Sequence, residues 1–457
     1  MGGIAIALAK VGHDVTGSDK DVYEPMQGRL AREGIRVSAY AAEHVPGNAD
    51  AIIVGTRVAR ENSELSFVRE RGLSSESFPE FLANRFLRRS RNLVVAGGVG
   101  KTTTTAMLAW ILEREGLQPD YLIGGLARNF PTSARFAGSD VSVIEGDEYA
   151  KRENDASPKF LHYFPEVVTI TNSLVDHPDL YPDTNRLIEA LRGLVRLLPA
   201  HGCLVLGNDE EGSATLAEAA RCSVIRVGTD ARADQVIGGV VLSSLGSAFE
   251  LSGTRFQLPM HGLMNVRNAS SAAVAALHLG VALERSALAL SIFEGLADHQ
   301  EAAEAGACTL VRDKASHPQS LIELSAALRQ RYPKRRLVCV IQPRATGGRH
   351  WIYQKHLPRA LSGFDKVILT RPYEHNPGPR TAWQDKPFSM DALISDLRSL
   401  RVDLDVAPEL ESLPAFVSQR TRPGDVVLLS LREQFGRVGV DIERALAGGE
   451  LRCNSLA

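Results

Sequence analysis

Residues 93–106 read LVVAGGVGKTTTTA. An apolar run, Leu93-Val94-Val95, breaks into Gly97, Gly98 and Gly100 and then reaches Lys101, with Thr102 and Thr103 directly behind it. A buried strand that delivers the chain to side-chain-free residues lets backbone N–H groups approach an anion closely. The apolar helix expected next (Met107, Leu108, Trp110, Ile111, Leu112) would point its N-terminus at the same anion. Lys101 is placed to reach terminal phosphate oxygens, and the Thr102 hydroxyl sits where a Mg²⁺ ligand is needed. The spacing is GxxGKT, two residues tighter than the common GxxxxGK[ST] loop. A nucleoside triphosphate with Mg²⁺ is therefore the expected ligand, and the competing reading is a plain Gly-rich strand-to-helix turn.

The rest of the chain frames this loop. At 457 residues it exceeds what one core usually serves, so two or three domains are expected. A formal net charge of −2 gives no reason to expect a polyanion, so a nucleic-acid partner is not expected. Five scattered cysteines without a CxxC suggest neither a disulfide framework nor a zinc site, and fit a reducing cytoplasm. No apolar run reaches the ~20 residues of a spanning helix, so membrane insertion is not expected. The opening MGGIAIALAKVGHDV lacks the basic start and cleavage pattern of a secretory leader.

Helix-like and strand-like pieces alternate throughout, which predicts an α/β fold with parallel sheets. Residues 1–90 read as a small α/β unit that opens on its helix, near Ile4–Lys10, so that the usual first strand and glycine turn are expected to be missing. The basic segment RFLRRSRN (85–92) reads as a linker. Residues 91–298 form the expected nucleotide domain, with strands DVSVIEG, EVVTITNS and GCLVLGN. Residues 299–457 read as a third α/β unit with strands CTLVRD, RLVCVIQP, DKVILT and DVVLLS. The Pro- and Gly-rich stretch 372–388 reads as a surface loop.

Two further clusters carry chemistry. In VIEGDEYA (143–150), Glu145, Asp147 and Glu148 gather at the end of an apolar strand. Mg²⁺ beside a triphosphate needs such oxygen ligands, and Glu145 is the expected one; a solvated acidic turn is the alternative. In TNSLVDHPDLYPD (171–183), Asp176, His177 and Asp179 follow another β-rich run and offer a second ligand, although a His beside Asp is more often a turn residue. Three such sites at successive strand ends would face one crevice.

The order GKTTT, VIEGDEY, KFLHY (159–163), TN…DHPDLYPD, MNVRNA (264–269), SHP (316–318) and QPR (342–344) resembles the Mur ligases of peptidoglycan synthesis over essentially the whole chain. With VTGSDKDVYEPM (15–26) it is most similar to their murein-recycling branch. The resemblance implies three domains: a Rossmann-like UDP-sugar domain, a central P-loop ATPase and a Rossmann-like C-terminal domain that closes over ATP. It implies an ATP-dependent amide ligase joining UDP-N-acetylmuramate to a murein peptide through an acyl phosphate. By the same resemblance Lys101, Glu145 and His177 are catalytic, and Thr102, Glu145 and His177 hold Mg²⁺. Asn265 and Asn268 lie against adenine and Asp313 faces the nucleotide, while Ser18, Asp19, His317 and Arg344 contact substrate. A monomer is expected.

The chain also departs from the family pattern. Gly97-Gly98-Val99-Gly100 stands where the family has GTHG, Leu174 replaces an expected glutamate, and Asp298-His299-Gln300-Glu301 replaces RRLE. Each donor aimed at developing charge is worth ~3 kcal/mol, so a second reading stays open: a relative that binds ATP or a UDP-muramyl peptide as a sensor or partner without turnover.

Overall fold

Apolar runs without polar alternation call for parallel strands covered on both faces. Arg91–Ala96, Val141–Glu145, Pro165–Ile170 and Cys203–Gly207 form such strands, with nearly every residue buried. The computed structural model describes the chain except residues 23, 25, 57, 153–154, 178–179, 208–211, 344–350, 372–387, 432–435 and 449–457. Arg344, the 372–388 stretch up to residue 387, and Asp179 thus lie outside the described residues.

The central sheet has ten strands in the order Thr254–Leu258, Gly246–Leu251, Gln235–Ser243, Ser223–Gly228, Cys203–Gly207, Pro165–Ile170, Arg91–Ala96, Val141–Glu145, Asp120–Leu122 and Ala134–Arg135. Its middle is parallel, and antiparallel pairs occur only toward the two edges. Val95 pairs with Glu145 on one side and Thr169 on the other, so three strands end level with one another. One face of the sheet is covered by the helices Lys101–Arg114, Leu263–Leu277 and Leu283–Leu290, which share one apolar cluster with it. That position between sheet and helices explains why the Lys101–Arg114 helix is buried on almost every side.

The third sheet has six strands, Glu301–Ala305, Cys308–Arg312, Val426–Ser430, Leu337–Ile341, Lys366–Leu369 and Leu404–Val406, of which only the first pair is antiparallel. Four of its strands lie where the β-rich runs predict them, while Glu301–Ala305 and Leu404–Val406, at its two edges, were not predicted. The helices Pro318–Arg331 and Met390–Ser399 cover one face, and each starts on a side-chain cap, His317 and Ser389; such caps satisfy an otherwise orphaned N–H. Among the described residues no helix is long and apolar enough to cross a membrane.

The N-terminal region departs from expectation. Instead of one parallel sheet, the described residues form two separate parallel pairs, Thr16–Ser18 with Arg36–Ser38 and Ile53–Val54 with Glu76–Ser77. Its helix Gly2–Lys10 buries Ile4, Ala7 and Leu8 in the same cluster as Val94, Ala96 and Ile144 of the central sheet. The residues left to a local cluster are few: Ile6, Leu30 and Ile35. Short strands and shared apolar side chains leave this unit dependent on its neighbour.

The basic stretch 85–92 is not a free linker either. Leu87 is fully buried, Asn92 donates to Leu87 O and Phe164 O, and Arg91 forks onto Glu166. Arginine density masked this, because the guanidinium groups point outward or pair while the backbone and Leu87 turn inward. Leu87→Ala is expected to cost about 3 kcal/mol through the cavity it leaves, read in urea unfolding. A linker residue would lose almost nothing.

Candidate active site

The P-loop folds as its glycines require. Gly100 sits at φ +89°, where an added Cβ would meet Asn268 Oδ1 at 2.5 Å. A Cβ at Gly98 would land on the Leu174 carbonyl. The loop and the 171–174 segment are therefore pressed together with no room for side chains. Asn172 fastens them: its Oδ1 accepts from Val99 N at 3.0 Å, its Nδ2 donates to Val99 O at 2.7 Å, and the Thr171 hydroxyl donates to the same carbonyl at 2.8 Å. The Lys101–Arg114 helix starts at Gly100 with no side-chain cap, leaving first-turn N–H groups for an anion.

Lys101 is 7% exposed. Its Nζ donates to Gly97 O at 2.7 Å and Gly98 O at 2.8 Å, and it pairs with Glu148 Oε2 at 3.2 Å. Burial opposes the charge, but the carboxylates of Glu148, Asp176, Glu145 and Asp147 hold the proton well above the ordinary lysine range. At the next residue, Thr102 Oγ1 donates to Glu145 Oε1 at 2.8 Å, while Gly124 N donates to Oε2 at 2.6 Å. Burial, then the Asp147 charge, pushes the Glu145 carboxyl up to about 7; Lys101 and the two donors act in the opposite direction.

The acidic strand end is thus split by its surroundings. Glu145 and Glu148 are buried and Asp147 is not, which removes the solvated-turn alternative for Glu145. Glu148 joins two predicted residues, since its other oxygen lies 3.7 Å from His177 Nε2. The His177 ring also meets the Tyr149 hydroxyl, 3.0 Å from Nε2, and Asp176 at 3.5 Å. Lys101, Glu148 and His177 therefore form one line, while Thr102 and Glu145 form a second beside it. Among the described residues no group of three His, Cys, Asp or Glu side chains is arranged to hold a metal ion.

Asn265 and Asn268 are buried near the start of the Leu263–Leu277 helix. Asn265 donates to His261 O at 2.9 Å, and Asn268 lies against Gly100 and donates to Asn265 Oδ1 at 3.4 Å. Asp313 is buried at the end of the Cys308–Arg312 strand, accepting from Gln300 N and Ala315 N, both at 2.8 Å; burial raises its carboxyl against the lowering effect of His299. His317 caps its helix through Nδ1, which accepts from Gln319 N at 3.1 Å. Ser18 and Asp19 lie at the carboxyl end of the first parallel pair, Ser18 donating to Glu64 and Asp19 accepting from Lys20 N. Neither has a described contact with the P-loop cluster. Asn172 and Glu148 are the residues that sequence reading undervalued, although each stood inside a motif already singled out.

The donors fit a nucleotide with Mg²⁺. A glycine loop with no room for side chains, an uncapped helix start and a buried lysine suit phosphates. A hydroxyl and one strained carboxyl suit Mg²⁺, which takes one or two carboxylates and completes its shell with phosphates and water.

Fold and site together define a P-loop α/β protein with its phosphate site at the carboxyl ends of adjacent parallel strands. The chain belongs to the Mur ligase family: its residues 1–89, 95–276 and 300–430 match, in turn, the Mur ligase family catalytic domain, the Mur ligase middle domain and the Mur ligase glutamate ligase domain. It is 31% identical over 447 residues to the UDP-N-acetylmuramate--L-alanyl-gamma-D-glutamyl-meso-2,6-diaminoheptandioate ligase of Escherichia coli, covering 96% of this chain and 94% of that one. It is 32% identical over 451 residues to the UDP-N-acetylmuramate--L-alanine ligase of Rubrobacter xylanophilus, covering 97% and 96%. The murein peptide ligase structure of Psychrobacter arcticus shares the fold at a TM-score of 0.73 and 24% identity, over 100% of this chain and 97% of that one.

The state of Glu145 has a measurable consequence. A carboxyl raised from 4.5 to about 7 keeps its proton in the folded chain after the unfolded chain has lost it, so its contribution to stability falls as pH rises from about 4.5 through about 7. The melting temperature of Glu145→Gln relative to wild type, without nucleotide, is expected to shift in the variant's favour between pH 5 and pH 8. A difference independent of pH would contradict the assigned burial of that charge.

Proposed function

We propose that this chain is an ATP-dependent amide ligase that joins the carboxylate of UDP-N-acetylmuramate to the amine of a murein peptide. The observation that carries the reading is the level ending of three adjacent parallel strands, Arg91–Ala96, Val141–Glu145 and Pro165–Ile170, which gathers the glycine cradle, Lys101, Thr102 and Glu145 in one crevice. The family match supports it independently. In this reading the units divide near residues 90 and 298, with the first unit carrying Ser18 and Asp19 toward the UDP sugar.

When bound, MgATP supplies the phosphoryl group that converts a carboxylate into an acyl phosphate open to attack by an amine. The chain's part is positioning and charge placement, the terms that dominate phosphoryl transfer. Backbone N–H groups of 97–101 cradle the phosphates. Lys101 carries its proton throughout, and exchanges the Gly97 and Gly98 carbonyls for phosphate oxygens. Thr102 and Glu145 would hold the cation, Glu145 as its carboxylate ligand. His177 orients Glu148 against Lys101 and is the further ligand implied by the family pattern. Asn265 and Asn268 line the adenine side, Asp313 faces the nucleotide from the third unit, and His317 and Arg344 serve the substrate.

The murein tripeptide is the proposed acceptor because the motifs at 15–26, 143–149 and 159–163 follow the recycling branch. No structural observation favours a sensor that binds without turnover, since the lysine, hydroxyl and buried carboxyl that the chemistry needs converge. Purified protein with MgATP and UDP-N-acetylmuramate is expected to release phosphate only when L-Ala-γ-D-Glu-meso-diaminopimelate is added, and Lys101→Ala to lower that rate by ~10²-fold or more. Release driven by L-alanine instead would reassign the acceptor. Absence of release in every mixture would remove the ligase reading.

A further inference from the structure

Three sets of contacts bear on residues 171–177, the first part of the loop that follows the Pro165–Ile170 strand. Its start is bound to the P-loop by Thr171 and Asn172, and farther on His177 sits between Tyr149, Glu148 and Asp176. The third hold comes from a different unit. Tyr353, in the short helix Trp351–Gln354, places its hydroxyl 2.7 Å from Val175 O and 3.1 Å from Asp176 O. A phenol has a single proton to give, so the two carbonyls share it.

The rest of Tyr353 belongs to the third unit. It is 5% exposed and sits in the apolar cluster with Leu321, Leu324 and Leu357, and the His317 ring meets it edge-on at 5.1 Å. The ring is thus fixed by its own sheet layer while the hydroxyl alone reaches across to the loop next to His177. A second tie lies elsewhere: Gln330 accepts from Gly262 N at 2.8 Å and donates to Ser243 O at 2.9 Å and Gly246 O at 3.0 Å. That tie fixes the third unit against the Gln235–Ser243 hairpin and the Leu263–Leu277 helix, with no bond to the 171–177 loop.

We propose that Tyr353 is a positioning residue: its hydroxyl sets the 174–177 backbone when the third unit is docked, and so orders the His177–Glu148–Lys101 line from outside the P-loop domain. His177 is one residue beyond the carbonyl that Tyr353 holds, Glu148 lies between His177 and Lys101, and Lys101 is buried with no slack. Tyr353 meets the loop backbone and, edge-on, the ring of His317, a residue assigned to the substrate; it acts on the P-loop cluster through the loop. The effect on loop order stands by itself, and only its effect on turnover rests on the ligase reading.

The test is hydrogen exchange, followed by mass spectrometry, on the full chain carrying Tyr353→Phe, which keeps the ring and removes the hydroxyl. One lost hydrogen bond is expected to speed exchange in peptides covering 171–177 by roughly three- to tenfold, with peptides from 318–341 unchanged. Gln330→Ala is expected to speed exchange near 243–246 and leave 171–177 as in wild type. Unchanged exchange at 171–177 in Tyr353→Phe overturns the proposal. So does acceleration that includes 318–341, because the hydroxyl would then serve only the packing of its own unit. In turnover, the same variant is expected to lower kcat severalfold with KM for ATP within about twofold, as a positioning role through His177 requires. If wild type shows no ligase turnover at all, the exchange result still decides the positioning claim.

Discussion

A buried ammonium is the constraint on which this molecule turns. Removing Lys101 from water costs several kcal/mol, and the fold recovers that by surrounding the charge with two loop carbonyls, Glu148 at 3.2 Å and three further carboxylates. Those groups come from the ends of three adjacent strands and the loops that follow them, so the lysine can be satisfied only when the central sheet is in register. Val95 paired with both Glu145 and Thr169 is that register. The same arrangement leaves Glu145 raised and short of positive charge, which is the state in which a carboxyl gains most from a divalent cation.

Close approach does the remaining work. With side chains absent at Gly98 and Gly100, the P-loop touches the Leu174 carbonyl and Asn268, and Asn172 spans the gap with a hydrogen bond in each direction. The family's histidine and threonine are absent from this loop, and the bracing is carried by Asn172 and Thr171 from the neighbouring strand end.

Local signals made much of this legible. The strand–glycine–lysine–threonine order identified the P-loop, and apolar runs placed four of the ten central strands and four of the six C-terminal strands to within about three residues, because fully buried parallel strands leave continuous hydrophobic stretches; the antiparallel edge strands went unread. What stayed hidden depends on long-range placement. Asn172 and Glu148 look like ordinary loop residues until their partners, distant in sequence, are brought beside them. Leu87 was obscured by the arginines around it, and the N-terminal unit read as an ordinary sheet because propensity does not say which neighbour a helix will share its core with. Tyr353 carries no local signal at all, since its role exists only in the docked arrangement of two units.

The chemistry proposed for this site is activation of a carboxylate, beyond merely hydrolysing or holding a nucleotide. When a carboxylate oxygen takes the terminal phosphoryl group, ADP departs, and the amine that attacks the acyl carbon expels phosphate carrying that oxygen. The direct measurement is turnover of UDP-N-acetylmuramate labelled with ¹⁸O in its lactyl carboxylate, with the released phosphate read by mass spectrometry. The account predicts one carboxylate-derived ¹⁸O in each phosphate from a fully labelled substrate. Unlabelled phosphate formed alongside the amide would contradict it, because the carboxylate would then have been activated without passing through this phosphate site.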